Sequence, residues 1–419
     1  MIVVPFVYFS LFSFFLYHKK GKKIDLSVII TAMFAVSGFF SILVDLFELR
    51  YPDAIGYNIS VGATTSYCLL LTLCILPIAK YSHLGITRLK PVRNGNMLKA
   101  LAFVSIIWLF ATFVFGWSSF MRVLNSNMEE ARAAVYLGGA EFSLDNVPTL
   151  LRPIMVLLNV IFGCSWIFIF LAFFSRYVQR QPTIFFWMFL FVSLSGPFIG
   201  VIGADRSKVT YWIIAAFGIF MLYKPYLQKA EKKKLLIIGV TILSVLVLYL
   251  AMMTISRFAD RNYGGEVSGT EGGVISYLGQ SYIHYCLYFD TYNPPFANLG
   301  ILFPFTGKYL LGIETGGVVI QEQMSLLTGY KCGVFYTYIG QIIMGAGKTV
   351  AIIFCIVYSI FSFITLSSIT KKNNISILSL YLYFSIASVQ LLGLFIYYYT
   401  SPYITFSLFF FYFFLRLIR

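Results

Sequence analysis

Charge is what this chain has least of. Asp, Glu, Lys and Arg together make up 11% of its 419 residues, against roughly 25% in an ordinary soluble domain, and that shortage excludes a water-soluble fold. Histidine is scarce too: His18, His83 and His284 are the only three, and no paired metal-ligand spacing joins them, so no metal site is expected. Gly-x-Ser-x-Gly is absent, which removes the nucleophile elbow of a serine hydrolase. The stretch "GAGKT" (345–349) is no phosphate loop, because Ile342 stands where the loop needs glycine and no strand precedes it. Gly345 and Gly347 are expected instead to let the chain turn into the next helix. Cys68, Cys74, Cys164 and Cys355 fall in apolar runs, where thiols act as small core residues. Cys286 and Cys332 sit in a polar region, and no spacing rule pairs them.

What the chain has in abundance is apolar length. Hydrophobic residues make up 59% and aromatic residues 19%, gathered into runs near 1–17, 26–46, 61–79, 100–116, 153–175, 183–203, 209–223, 235–255, 347–369, 376–398 and 403–419. Most approach the ~20 residues that cross a bilayer as helix, where every backbone polar group must be paired within its own segment. The first run keeps its positive charges after the apolar stretch and lacks a small-residue cleavage pattern, so it reads as a membrane helix and not as a signal peptide. The fold class expected is an all-α polytopic membrane protein with about eleven transmembrane helices. It forms one membrane domain, with an outside cap.

Charge placement predicts the sidedness. Alternate connections, from "HKKGKKID" through "KPYLQKAEKKK" to Arg416 and Arg419, carry twenty of the thirty-one Lys/Arg but only Asp25 and Glu231 of the sixteen acids. Basic loops stay on the cytoplasmic side, which predicts the N-terminus outside and the C-terminus inside. The net charge of +15 is thus a topology signal with some attraction to anionic lipid, and it does not imply a nucleic-acid partner.

Two outside connections are long, about 117–152 and 256–346. Loops of that length usually have a task. In the first, "MRVLNSNMEEARAAVYL" has helical amphipathic spacing. In the second, "VISYLGQSYIHYCLYFDTY" reads as a helix stopped by Pro294 and Pro295, with Tyr277, Ser281, His284 and Tyr288 on one face. It is expected to lie along the membrane surface as an amphipathic helix.

Arginine on the outside is what positive-inside sorting leaves unexplained. Arg50, Arg122, Arg132, Arg152, Arg206, Arg257 and Arg261 all fall in outside connections. The planar guanidinium donates paired hydrogen bonds to phosphate oxygens and keeps its charge when partly desolvated. Arg206 stands at a hairpin tip, "GADRSK" (203–208), while Arg257 and Arg261 follow the eighth apolar run and share a helical face, with Asp260 between them. All three are placed at headgroup depth, where an anionic lipid headgroup would meet them. Each has an alternative as an interfacial anchor or as a partner of Asp205 or Asp260.

In this layout the chain resembles the O-antigen polymerases (Wzy) of bacterial polysaccharide assembly. The likeness covers the whole chain in layout, and in residues the stretches "GADRSK", "SRFADRNYGG" and "GVFYTYIGQIIMGAGK". Some members place glycine eleven residues after an outside arginine; Arg261 and Gly272 have that spacing, whereas Arg257 is followed at that distance by Ser268. The resemblance implies glycosyl transfer at the periplasmic face of the bacterial cytoplasmic membrane, with undecaprenyl-diphosphate-linked glycans as substrates, membrane lipid as surroundings and a chain-length regulator protein as a partner. It implies no cofactor: Arg206, Arg257 and Arg261 would hold the diphosphate. Tyr277 and Tyr288 would stack on sugar faces. His284, the one outside group that titrates near neutrality unperturbed, is the first candidate for general base, with Asp205, Asp260 and Glu322 as carboxylate alternatives. Two competing expectations are an O-antigen ligase, whose histidine-then-asparagine pattern is not visible after His284, and a lipid-oligosaccharide flippase, which would carry paired repeats and mid-membrane charges.

Overall fold

The computed structural model describes the chain apart from residues 87, 126–146, 203–205, 259–268, 295–311, 313–323, 333–334, 372–373 and 396–400. Its helices are α1 (Val4–Lys19), α2 (Leu26–Leu46), α3 (Val61–Lys80), α4 (Gly95–Asn125), α5 (Arg152–Phe162), α6 (Trp166–Phe173), α7 (Thr183–Ser193), α8 (Ser195–Ile202), α9 (Arg206–Tyr223), α10 (Lys229–Phe258), α11 (Gly269–Thr291), α12 (Thr337–Ala346), α13 (Lys348–Thr370), α14 (Ile377–Leu391) and α15 (Pro402–Ile418). Helix therefore occupies each of the eleven apolar runs. Six stretches are long and apolar enough to cross a membrane by themselves: Leu26–Leu46, Val61–Gly85, Gly95–Ser118, Thr183–Ile202, Lys229–Met252 and Lys348–Thr370. The protein is an all-α membrane protein.

The 153–175 run does not form one straight span. It breaks between α5 and α6 with a bend of 65°, at Gly163, whose missing side chain leaves room for Tyr403. A break frees backbone donors that lipid leaves unpaired, and the Ser407 hydroxyl accepts from the Cys164 N–H at 3.3 Å.

The described residues fall into two compact units. Unit 1 comprises Met1–Gly85, Phe258–Lys372 and Tyr383–Pro402; unit 2 comprises Ile86–Arg257, Asn373–Leu382 and Tyr403–Arg419. In unit 2, α4, α7 and α8 pack together, α6 packs on α7 and α9, and a two-residue parallel bridge joins Arg88–Leu89 to Asn374–Ile375. The most hydropathic span there, Lys229–Met252, has only 6% of its length buried within the protein, which leaves its side chains to lipid.

Unit 1 is built by close approach of backbones. Helix α11 packs against α2, α3 and α12, and α1 packs on α2. A Cβ on Gly279 would sit 2.3 Å from the Phe40 carbonyl oxygen, and one on Gly38 would sit 2.8 Å from the Phe6 nitrogen. Ser41 and Ser37 then donate across the crossing to the Gly279 and Leu278 carbonyls at 2.6 and 3.0 Å. Small residues and interhelical hydrogen bonds are what join helices where lipid removes the hydrophobic drive. At one end of α2, Asp25 is fully buried; it accepts from the Val28 N–H as N-cap, from Ser27 and Ser82, and pairs with Lys20.

The helix predicted to lie along the membrane surface is present as α11, but it lies inside unit 1. Tyr282, His284, Tyr285, Cys286, Leu287 and Tyr288 are buried. The polar face inferred from spacing is real as a periodicity; Ser281, His284 and Tyr288 on it are covered by other parts of unit 1, and Tyr277 is half-buried. The first-loop helix is described only as far as Asn125, where α4 ends, so the rest of that reading lies outside the described residues.

Candidate functional site

The site is organised around an acid absent from the sequence-based candidates. Asp53 lies in the short connection between α2 and α3, in a 3-10 turn opened by Pro52. Arg50 holds that connection in place: it pairs with Asp45 at 2.5 Å and donates to the Tyr57 and Ala54 carbonyls at 2.6 and 3.4 Å. This arginine, in a connection that the charge pattern places outside, is therefore structural. At the other end of the connection, Tyr57 and Ser60 donate to the Asp290 carboxylate at 2.5 and 3.0 Å, fastening it to α11.

So held, Asp53 Oδ1 stands 3.6 Å from His284 Nε2, with the imidazole 1% and the carboxylate 9% exposed. The other carboxylate oxygen, Oδ2, accepts from the Lys331 N–H at 3.0 Å. Lys331 itself is fixed twice more: its carbonyl accepts from Tyr288 at 2.8 Å, and its ammonium lies 4.2 Å from the centre of the Tyr51 ring. Tyr51 packs edge-on against His284, with centroids 5.5 Å apart. Burial favours the protonated form of Asp53, but a protonated His284 ring and the Lys331 amide outweigh it and hold the carboxyl below its ordinary value of 3.8.

The hydrogen accounting of this pair is informative. His284 Nδ1 is 3.2 Å from the Gln280 carbonyl oxygen, which only accepts, so Nδ1 carries the ring's proton. In the neutral ring Nε2 is then a bare lone pair facing a carboxylate oxygen, and neither atom has a hydrogen-bond partner. Two acceptors so close need a hydrogen from elsewhere. Protonation of the ring supplies one. A hydroxyl supplies one only if the packing opens, since neither Asp53 Oδ1 nor His284 Nε2 is accessible in this arrangement. Asp53 lines an open cleft of about 520 Å³ together with Pro52, Ser325, Gly329, Tyr330 and Lys331, and His284 lies behind it, outside the lining.

The other predicted site residues are placed as follows. Arg206 begins α9 in unit 2 and donates to Thr254 at 3.0 Å, on α10 one turn before Arg257. Unit 2 thus brings Arg206 beside the end of α10 that carries Arg257. The Arg257 side chain, Asp205, Asp260, Arg261 and Glu322 lie outside the described residues. Tyr288 is fully buried, its ring among Tyr292, Tyr336 and Tyr330. Tyr277 is half-buried and meets the Phe335 ring edge-on at 4.5 Å. Cys286 and Cys332 are buried free thiols. At "GAGKT", Gly347 has φ of +85° and separates α12 from α13, as a turn requires, whereas Gly345 lies within α12. Among the described residues no group of three or more His, Cys, Asp or Glu side chains is arranged to hold a metal ion.

Sequence reading missed Asp53 because one acid in a short connection has no spacing signal to a histidine so far along the chain. Its only mark is the Pro-Asp pair of a tight turn. No family model matches the chain, and neither a curated protein nor a solved structure matches it.

Proposed function

We propose that the chain is a membrane glycosyltransferase that polymerises lipid-diphosphate-linked oligosaccharide repeat units at the outer face of the bacterial cytoplasmic membrane. In this reading all eleven apolar runs are spans, with the N-terminus out and the C-terminus in. The observation that carries it is the buried Asp53–His284 pair, whose Asp53 lines an open cleft. Two mutually facing acceptors, with the tautomer set by the Gln280 carbonyl, suit a general base for a hydroxyl nucleophile.

The acceptor sugar's hydroxyl gives its proton to His284 Nε2 as its oxygen bonds to the anomeric carbon of the donor glycan. The bond from that carbon to the diphosphate oxygen breaks, and the lipid diphosphate leaves with the electron pair. Asp53 stabilises the imidazolium that forms. Arginine is suited to the charge that accumulates on the departing diphosphate; Arg206, Arg257 and Arg261 are assigned that task, and Tyr277 contact with sugar.

Purified protein given a single lipid-linked repeat unit is expected to yield a ladder of lengthened products, and Arg257→Ala and Arg261→Ala to abolish it while the protein remains folded. A verified cognate substrate that returns no ladder would sink the polymerase reading. Transfer of one finished glycan to a lipid A acceptor would replace it with a ligase, and unimpeded ladders in both arginine variants would return those residues to membrane anchoring.

A further inference from the structure

At one end of unit 1, cations gather where the protein supplies no acid to meet them. The charge pattern places this end inside, and Asp25 is the one acid of unit 1 in the inside connections. It is fully buried and already taken by Lys20, Ser27, Ser82 and the Val28 N–H. Lys80 and Lys371, at the ends of α3 and α13, are exposed. Among the described residues neither forms a salt bridge.

Their placement is not that of two lysines reaching separately for water. Helices α3 and α13 run side by side in the same direction: Ser359 donates to the Leu73 carbonyl at 2.9 Å, and the Cys74 thiol lies 3.9 Å from the Cys355 carbonyl oxygen. Nearer their C-terminal ends the Lys80 ammonium stands 5.5 Å from the centre of the Tyr81 ring and 5.6 Å from that of Phe363. These two rings meet edge to face at 6.0 Å. Such a seat holds an ammonium without neutralising it. One turn further along α13, Ser367 adjoins the Tyr81 hydroxyl, and Lys371 is within electrostatic reach of it. Snorkelling, or the attraction of lysine to a helix C-terminus, accounts for either lysine alone. Neither accounts for cations from two helices converging on one hydroxyl.

An apolar stripe leads away from this cluster on each helix. At 100° per residue Leu69, Leu76 and Lys80 fall within about 40° of one another on α3, and Ile356, Ile360, Phe363 and Ser367 within about 60° on α13. Leu69, Leu76, Ile356 and Ile360 are exposed. Because Lys80 meets Phe363, the two stripes adjoin. From Leu69 to Lys80 is about 16 Å of helix, and half of a ~30 Å hydrocarbon core is about 15 Å. An apolar track one leaflet deep, headed by two cations and two hydroxyls, matches a single lipid in length and chemistry. We infer that the paired ends of α3 and α13 bind an anionic phospholipid, its phosphodiester between Lys80 and Lys371 and an acyl chain along the stripes. Basic pockets between membrane helices on the cytoplasmic side bind such headgroups. The lipid bridges the two helices, and its site is independent of the reaction the protein performs.

Native mass spectrometry of the intact chain released from detergent tests this, with phosphatidylglycerol and phosphatidylethanolamine supplied in equal amounts. Wild type is expected to retain phosphatidylglycerol over the zwitterionic lipid by at least about tenfold, since each lysine near a headgroup is worth about fivefold. Lys80→Gln combined with Lys371→Gln should bring the two lipids to parity. Lys22→Gln combined with Lys23→Gln removes the same charge from exposed lysines at the same end, and should leave the preference intact. Unfolding temperatures in detergent check that each variant is folded; where the first pair does not fold, its two single substitutions carry the test, each expected to lose about fivefold. No preference in wild type would overturn the inference. So would an equal loss in both double variants, which would mean diffuse attraction in place of a site. Excess inorganic phosphate should not displace the lipid; displacement would reveal a site for the free anion and overturn the assignment to lipid.

Discussion

At the scale of the residue, the informative chemistry lies in which nitrogen of His284 is already occupied. The Gln280 carbonyl takes Nδ1, leaving Nε2 to face Asp53. In the product-ladder assay His284→Gln is expected to lower the rate by about 10²–10⁴, the usual contribution of a positioned base; an unchanged rate would remove the base assignment. Asp53 leaves a second, activity-independent mark. Its carboxyl titrates lower in the folded protein than its ordinary 3.8, so the folded state is favoured fully above that value, and the benefit is lost as pH falls through the depressed one. Thermal unfolding between pH 6 and pH 3 should therefore show a decline in wild type that is shallower in Asp53→Asn. Parallel curves would show that the carboxylate is not held by its neighbours. His284 was legible in the sequence because it is the only histidine in the connections that the charge pattern places outside. Asp53 was not, because the contact that gives it meaning is tertiary.

At the scale of the element, α11 shows what periodicity conveys and what it omits. The spacing of Tyr277, Ser281, His284 and Tyr288 places them on one helix, and Pro294 and Pro295 end it; the observed helix stops at Thr291. What covers its faces is another matter, and the surface position predicted for it is wrong because Gly279, with Ser37 and Ser41 opposite, lets two backbones meet. Gly279→Ala forces a methyl against the Phe40 carbonyl. The expected cost is about 1–3 kcal/mol, the usual range for overpacking, read as a lower unfolding temperature in detergent. An unchanged midpoint would mean that the crossing is looser than described. The broken α5–α6 segment has the same lesson, since an unbroken apolar run gave no sign of the 65° bend.

At the scale of the whole molecule, the testable property is sidedness. Each described cysteine is buried, so single cysteines introduced on exposed positions can be probed against a quiet background. With the N-terminus out, Ile55→Cys should react with a membrane-impermeant maleimide on intact cells, and Lys233→Cys only after permeabilisation. The reverse pattern would overturn the charge-based topology. Sequence alone determined the solvent in which this protein folds, because a deficit of charge and eleven apolar runs admit only helices in lipid. It also determined where those helices lie along the chain, since the runs and the breakers between them are local properties. The tertiary structure decided which polar groups share an environment: it buried α11, and it brought Asp53 to His284 from a distant connection. Hydropathy and spacing register only neighbours in sequence, whereas the state of a buried proton depends on neighbours in space.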